Sequence, residues 1–415
     1  MNCNKTIGRG ILAFLGLILV VLTPLPASSQ TVTAILGANV GCDTAVAGCV
    51  DVPLAAAIIC DGQAGVLDCP QFFAPDWAGS PLRFFGITNR TNPPRCVQST
   101  NGGGTWGLCP SNPFTGAVDL LGAVMTVGSD GSLIAAADQG VNNCIIRKST
   151  DYGVSWSTVF TDLTANVSCG LGFGNPQPSF IRCAKVGGYC VVIGREVGTF
   201  NLIAYFSSDI GTNWTKGTPF NIVSGDEEIG VQISENGTAG SLTRYNITYN
   251  TANWTFAYTS GTDWLRTTVI PLPAGAGAAS RCSSGASIFG GQAVVCGPDG
   301  TMTGTYRYFT HGAGTIVLIK SFTMPGGLTF ADAPDQMVVG YDTTTAYLVG
   351  RNVANTAIQV YVTRDTLTST YLIGTLTPTT ALIAGCCRGD IYVRGKKIYF
   401  TSGATSTQAF FGRIQ

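Results

Sequence analysis

The chain has 415 residues, 45% of them hydrophobic and only 11% charged, against roughly 25% charged in an average soluble protein. Lysine plus arginine balance aspartate plus glutamate at 23 each, so there is no basic field of the kind that nucleic-acid binding needs. The single histidine, His311, is too few for histidine metal sites, and any Ser-His-Asp triad would have to use it.

In chain order the first predicted element is a secretory leader over residues 1–29. Lys5 and Arg9 precede an apolar run from Ile11 to Leu22, and Pro24 and Pro26 end it. Ala27-Ser28-Ser29 supplies small residues for cleavage, which places the mature start near Gln30. The run is shorter than the roughly 20 residues that span a bilayer. The expectation is a secreted or periplasmic protein with no span left after cleavage.

Of the 15 cysteines, Cys3 departs with the leader, and the even remainder favours disulfides in an exported chain. Spacing suggests local pairs: Cys42–Cys49, Cys60–Cys69, Cys96–Cys109, Cys144–Cys169, Cys183–Cys190 and Cys282–Cys296. Cys386 and Cys387 are adjacent and could form a vicinal bridge. Connectivity stays open at the level of sequence. No paired CxxC spacing supports a metal site, and no phosphate loop, dinucleotide fingerprint or nucleophile elbow implies a cofactor or a known hydrolase.

After the leader the chain repeats itself at about fifty residues. Ser149-Thr150-Asp151-Tyr152-Gly153-Val154-Ser155-Trp156 matches Ser207-Ser208-Asp209-Ile210-Gly211-Thr212-Asn213-Trp214. Ser99 to Trp106 keeps the register with Asn101 in place of the aspartate, and Tyr258 to Trp264 keeps the glycine and the tryptophan. Weaker copies lie at Thr310 to Ile316 and at Thr363-Arg364-Asp365, with Tyr371 near the aromatic position. Each octapeptide reads as a hairpin turn. The aspartate accepts backbone N–H bonds, glycine supplies positive φ, and the aromatic residue returns the chain to an apolar layer. β-rich runs flank each copy, among them Cys144 to Lys148, Leu202 to Phe206, Tyr306 to Phe309 and Ile358 to Val362. Further alternating segments, such as Ser179 to Lys185 and Tyr189 to Gly194, complete about four strands per period.

The pattern Ser-x-Asp-x-Gly-x-x-Trp resembles the Asp-box, or BNR, repeat. The resemblance implies a single all-β propeller over residues 30–415, of the kind found in sialidases, sortilin-type receptors and photosystem-assembly factors. It implies a structural role at the outer edge for Asp151, Gly153, Trp156, Asp209, Gly211, Trp214, Asn101, Trp106 and Trp264. Seven blades are expected, with six as the alternative. Asp390 to Arg394, Lys397 to Thr401 and Ala409 to Ile414 form a last unit of three strands, and Thr31 to Leu36 could close it. The Cys-rich stretch 41–70 reads as an elaboration of the first blade.

Three arginines sit beside cysteines at places read as innermost strands: Arg182, Arg281 and Arg388. Converging on one mouth, they could clamp an anionic group with planar bidentate bonds. Asp226-Glu227-Glu228 is the only acidic cluster and reads as a solvated connecting loop. The Arg-Ile-Pro signature of sialidases is missing, and glutamate occurs only at Glu196, Glu227, Glu228 and Glu235. The sequence therefore favours a monomeric, non-catalytic scaffold that binds a glycan or an extracellular or envelope protein. The alternative is a divergent sialidase-like glycoside hydrolase acting on an anionic sugar.

Overall fold

In the computed structural model every regular element among the described residues is a strand. The first two are β1 (Ala34–Ile35) and β2 (Leu54–Ile59). Next come β3 (Pro70–Pro75), β4 (Phe84–Thr88), β5 (Cys96–Ser99) and β6 (Gly107–Leu108), which form one antiparallel sheet in that order. β7 (Ala123–Val127), β8 (Leu133–Asp138), β9 (Cys144–Ser149) and β10 (Ser157–Asp162) form the second. In the third, β11 (Val167–Ser168) and β12 (Phe180–Cys183) both pair with β13 (Cys190–Glu196), followed by β14 (Leu202–Ser207) and β15 (Thr215–Lys216).

The fourth holds β16 (Glu227–Ile233), β17 (Arg244–Tyr249), β18 (Asn253–Thr259) and β19 (Leu265–Pro271). β20 (Arg281–Ile288), β21 (Gly291–Gly297), β22 (Thr305–Gly312) and β23 (Thr315–Thr323) make the next unit. β24 (Leu328–Thr329) pairs with β26, within the unit β25 (Val338–Gly340), β26 (Ala346–Asn352), β27 (Ile358–Thr363) and β28 (Tyr371–Leu376). The last strands are β29 (Asp390–Arg394), β30 (Lys397–Gly403) and β31 (Gln408–Ile414). The structure describes these strands together with residues 83, 93–95, 100, 109–115, 128–132, 143, 150–156, 169, 184, 187–189, 208–214, 217, 324, 343–345, 354, 356–357 and 364–370.

The sheets are ordered in a ring. β3 touches β7, β7 touches β12, β12 touches β16 and β16 touches β20. β20 pairs in parallel with β25, β25 touches β29, and β29 touches β3. One strand of each unit therefore lines a common axis while its partners extend outward, which is a propeller-like arrangement. Burial follows the same radius. β7 and β8 are buried throughout, β9 is buried or half-buried, and the outer β10 is exposed or half-buried up to Asp162. The alanines of β8 (Ala135, Ala136, Ala137) are small enough for sheets to pack closely on both faces.

The ring closes differently from the sequence expectation. β2 pairs with β31 along its whole length, and β1 pairs with β2 outside it. The closing strand is thus Leu54–Ile59 rather than Thr31 to Leu36, and this part of the Cys-rich stretch belongs to the last sheet, not the first. Six well-paired residues against two decide the matter, since each paired residue satisfies backbone groups that an edge would expose.

Among the described residues three disulfides brace the ring: Cys96–Cys109, Cys144–Cys169 and Cys183–Cys190. Cys144–Cys169 ties the third strand of one sheet to the first segment of the next. Cys282 and Cys296 stand directly opposite each other on β20 and β21, as Cys183 and Cys190 do on β12 and β13. Cys42, Cys49, Cys60, Cys69, Cys386 and Cys387 lie outside the described residues. Such bridging fits an oxidising compartment. Among the described residues no helix is long and apolar enough to cross a membrane.

Candidate functional site

Three octapeptide turns join third to fourth strands, and their hydrogen bonds repeat almost atom for atom. In the first, Ser149 Oγ donates to Asp151 Oδ1 at 2.7 Å and accepts from Gly153 N at 2.8 Å. Ser155 donates its N–H to Oδ1 and its hydroxyl to Oδ2 of the same aspartate. In the second, Ser207, Asp209, Gly211 and Asn213 take the same places, with Asn213 Nδ2 replacing the serine hydroxyl. Thr363, Asp365, Leu367 and Ser369 build the third.

The backbone explains the motif. Positions four and five of each turn have positive φ: Tyr152 and Gly153, Ile210 and Gly211, Thr366 and Leu367. A side chain at such φ costs about 1–2 kcal/mol, and the aspartate offsets that cost by gathering the turn's N–H groups around one carboxylate. Donors from Ser155 and Ser149 hold Asp151 at a pKa of about 2. At Asp209 burial opposes ionisation, but the bonds from Asn213 and Ser207 outweigh it and hold the group at about 2. Asp365 is likewise lowered, against its burial, by Ser369 and Thr363.

In the third turn Leu367 stands where glycine was expected and Thr370 fills the aromatic position, while Tyr371 opens β28. At the weaker copy Thr310 to Ile316, β22 pairs with β23, with His311 opposite Ile316 and Gly312 opposite Thr315. Asn101, Trp106 and Trp264 lie outside the described residues.

These turns also fix which end of the ring is which. Ile210 N donates to Gly188 O in the β12–β13 turn, and Ser129 Oγ in the β7–β8 turn bonds Gly187 O. First-to-second turns and octapeptide turns therefore share one face. The innermost strands begin at the opposite face.

Arg182 lies next to the Cys183–Cys190 pair at the turn end of β12, on the octapeptide face. Arg281 is the first residue of β20, opposite Gly297, with the β20–β21 turn at the far end beyond Ile288. A strand of that length spans roughly 20 Å, and innermost strands run alike, as the parallel β20–β25 pairing shows for two of them. Arg182 thus stands near the first-to-second turn of its sheet, and Arg281 at the start of its strand. Arg388 lies outside the described residues. Glu227 and Glu228, expected in a loop, instead open the innermost strand β16. The strand-start mouth therefore carries Glu227, Glu228 and Arg281 on neighbouring strands, with Asp390 opening β29.

A tyrosine does touch a carboxylate, but away from the axis. Tyr205 OH donates to Asp162 Oδ2 at 2.7 Å, and Lys216 Nζ lies 2.8 Å from the same oxygen. Tyr205 is fully buried on β14 and packs against Phe160 of the neighbouring sheet. Burial, then the carboxylate, pushes its phenol far above the ordinary range, so it stays a proton donor and no nucleophile. This contact closes a seam between sheets; no sequence signal marked it, because Asp162 and Tyr205 belong to different repeats.

All six aspartates whose side chains are described serve the fold. Asp151, Asp209 and Asp365 organise the octapeptide turns. Asp130 accepts from Ser132 N and Oγ, Asp138 from Cys169 N, and Asp162 from Tyr205 and Lys216. Among the described residues no three His, Cys, Asp or Glu are placed to hold a metal ion.

No family model matches the sequence, and no curated protein does. Among solved structures the chain is similar to Sqt1 of Saccharomyces cerevisiae, at 8% identity, covering 85% of this chain and 97% of that one with a TM-score of 0.49. It is similar to the SapL1 lectin in complex with alpha methyl fucoside, at 15% identity, 75% and 97% coverage and a TM-score of 0.41. It is also similar to the alpha-L-arabinanase of Penicillium chrysogenum complexed with arabinobiose, at 12% identity, 71% and 92% coverage and a TM-score of 0.41. Likeness at these scores assigns this chain no ligand and no activity.

Proposed function

We propose that the chain is an exported, seven-bladed Asp-box propeller that acts as a single-copy, non-catalytic scaffold for a glycan or an extracellular or envelope protein. The observation that carries this reading is the commitment of all six described aspartates to turns and seams. A glycoside hydrolase needs a carboxylate poised at bound substrate, and these six are spent on structure. On the octapeptide face the turns around Ser129, Gly187, Gly188 and Ile210 are bonded to one another, and this reading takes the strand-start mouth as the ligand face.

The divergent hydrolase is the second reading, and one observation favours it: Glu227 and Glu228 open an innermost strand beside the one that Arg281 opens. The test is incubation of the mature protein, disulfides intact, with fluorogenic sialosides and neutral glycosides, in parallel with a glycan array. Binding without release of fluorophore is the expected outcome. Steady release that drops sharply in Arg281→Ala would replace the scaffold with an enzyme.

A further inference from the structure

At the strand-start mouth one register row stands apart in its chemistry. Glu227 on β16 lies opposite Tyr249 on β17, and Tyr249 lies opposite Trp254 on β18. Directly opposed residues of antiparallel strands share a face of the sheet. A carboxylate and two aromatic residues therefore occupy one face across three strands, in the row where β16 begins and the channel opens.

That combination matches a sugar ring. A pyranose offers hydroxyl donors along its edge, which a carboxylate accepts, and a plate of C–H groups on its face, which an aromatic ring covers. The sign of the charge narrows the class further. A carboxylate in the row repels a uronate or sialate, and Arg281, the cation at the same mouth, opens the neighbouring strand β20 and is not a member of this row.

We propose that Glu227, Tyr249 and Trp254 form a subsite for a neutral pyranose unit of a glycan. This rests on the glycan branch of the function proposed above. The carboxylate of this row suits the hydroxyls of such a ring, and its two aromatic residues suit the C–H face. The row sits in one blade, so a single sugar unit suffices to fill it.

The experiment titrates the mature, disulfide-intact protein with maltotriose, cellotriose, mannotriose, xylotriose and 3′-sialyllactose, following tryptophan fluorescence and heat. The expected result is saturable binding of at least one neutral trisaccharide. Its fluorescence change is lost in Trp254→Phe and its affinity falls about tenfold in Glu227→Gln, the worth of one hydrogen bond to a charged group. Val154→Ser, exposed on the octapeptide face, leaves both unchanged. Glu227→Gln is isosteric and keeps the test decisive should the tryptophan variant fail to fold. Binding that both variants retain overturns the subsite and leaves the scaffold reading standing. Preference for sialyllactose, or no neutral sugar bound, overturns it as well. Hydrolysis of a bound sugar removes the non-catalytic reading alone, and the two variants still decide the row.

Discussion

Lys148 of one sheet donates its ammonium to the backbone carbonyl of Ile210 in the next, at 2.7 Å. The same nitrogen lies 3.1 Å from Thr212 Oγ1. Ile210 is the residue with φ 56 in its octapeptide turn, so the lysine caps the carbonyl of a strained peptide across a seam. Lys320 reaches the same two positions of the third turn, Thr366 O at 3.4 Å and Thr368 Oγ1 at 2.6 Å, from the outer strand β23 rather than from a third strand. Two different sequence positions thus arrive at one seam contact.

Lys148→Met keeps the apolar stem and removes the charge. Because Lys148 is buried, the carbonyl of Ile210 loses a partner that water does not easily replace, and stability falls by about 1.5–3 kcal/mol. Lys320→Met, whose bonds are exposed to solvent, costs about 1 kcal/mol or less. Urea unfolding of the two variants checks the order; equal losses would mean that the seam contact does not depend on burial.

Tyr205→Phe tests the second seam. The substitution keeps the ring against Phe160 and deletes the donor to Asp162, a carboxylate that is nearly inaccessible. Leaving that oxygen one partner short costs about 1–3 kcal/mol. Lys216→Met removes the cation from the same buried carboxylate and is expected to cost more. A double-mutant cycle on thermal unfolding should return a coupling between the two sites; additive losses would show that they act separately.

Glycine positions give a third test. A Cβ on Gly188 would lie 2.2 Å from Ser208 O and 2.8 Å from Ser208 C, both backbone atoms of the octapeptide segment. Gly188→Ala must therefore push two hairpins apart, at a cost of about 3 kcal/mol or more. At Leu367 the reverse substitution is informative. Glycine would relieve the positive φ of 64°, worth about 1–2 kcal/mol, but it empties a fully buried leucine site, which costs about 2–5 kcal/mol. Leu367→Gly is expected to destabilise in spite of restoring the motif's glycine. A variant more stable than the parent would show that strain outweighs packing there.

Much of the architecture was legible because it rests on local signals. The octapeptides at Ser149 and Ser207 declare their turns through residues within eight positions, and the strands before them follow from β-rich runs. The closing strand was not legible in this way. Leu54–Ile59 meets β31 from the opposite end of the chain, and a run of alanine and isoleucine does not announce a partner so distant. Glu227 and Glu228 misled for a related reason. Charge suggests a loop, yet both residues join the ladder, opposite Tyr249 and Thr248. Adjacency to a cysteine likewise says nothing about which end of a strand Arg182 or Arg281 occupies.

Acid should loosen the octapeptide turns in a defined window. Asp151 and Asp209 have folded pKa values of about 2 against an ordinary 3.8, and Asp365 shifts in the same direction. A depressed folded pKa means that the unfolded chain takes up the proton first. The contribution of these groups is therefore fully present above about pH 4, and it is lost as pH falls toward 2. All three are substantially solvated, so each contribution is modest. Replacing Asp209 by alanine removes acceptors for Ser207, Thr212 and Asn213 together and is expected to cost about 1–2 kcal/mol at neutral pH. The parent and Asp209→Ala should then converge in stability as pH is lowered from 4 to 2, because the parent's advantage is carried by the ionised carboxylate. Thermal unfolding across that range is the measurement, and a gap that stays constant down to pH 2 would show that the aspartate acts by shape rather than by charge.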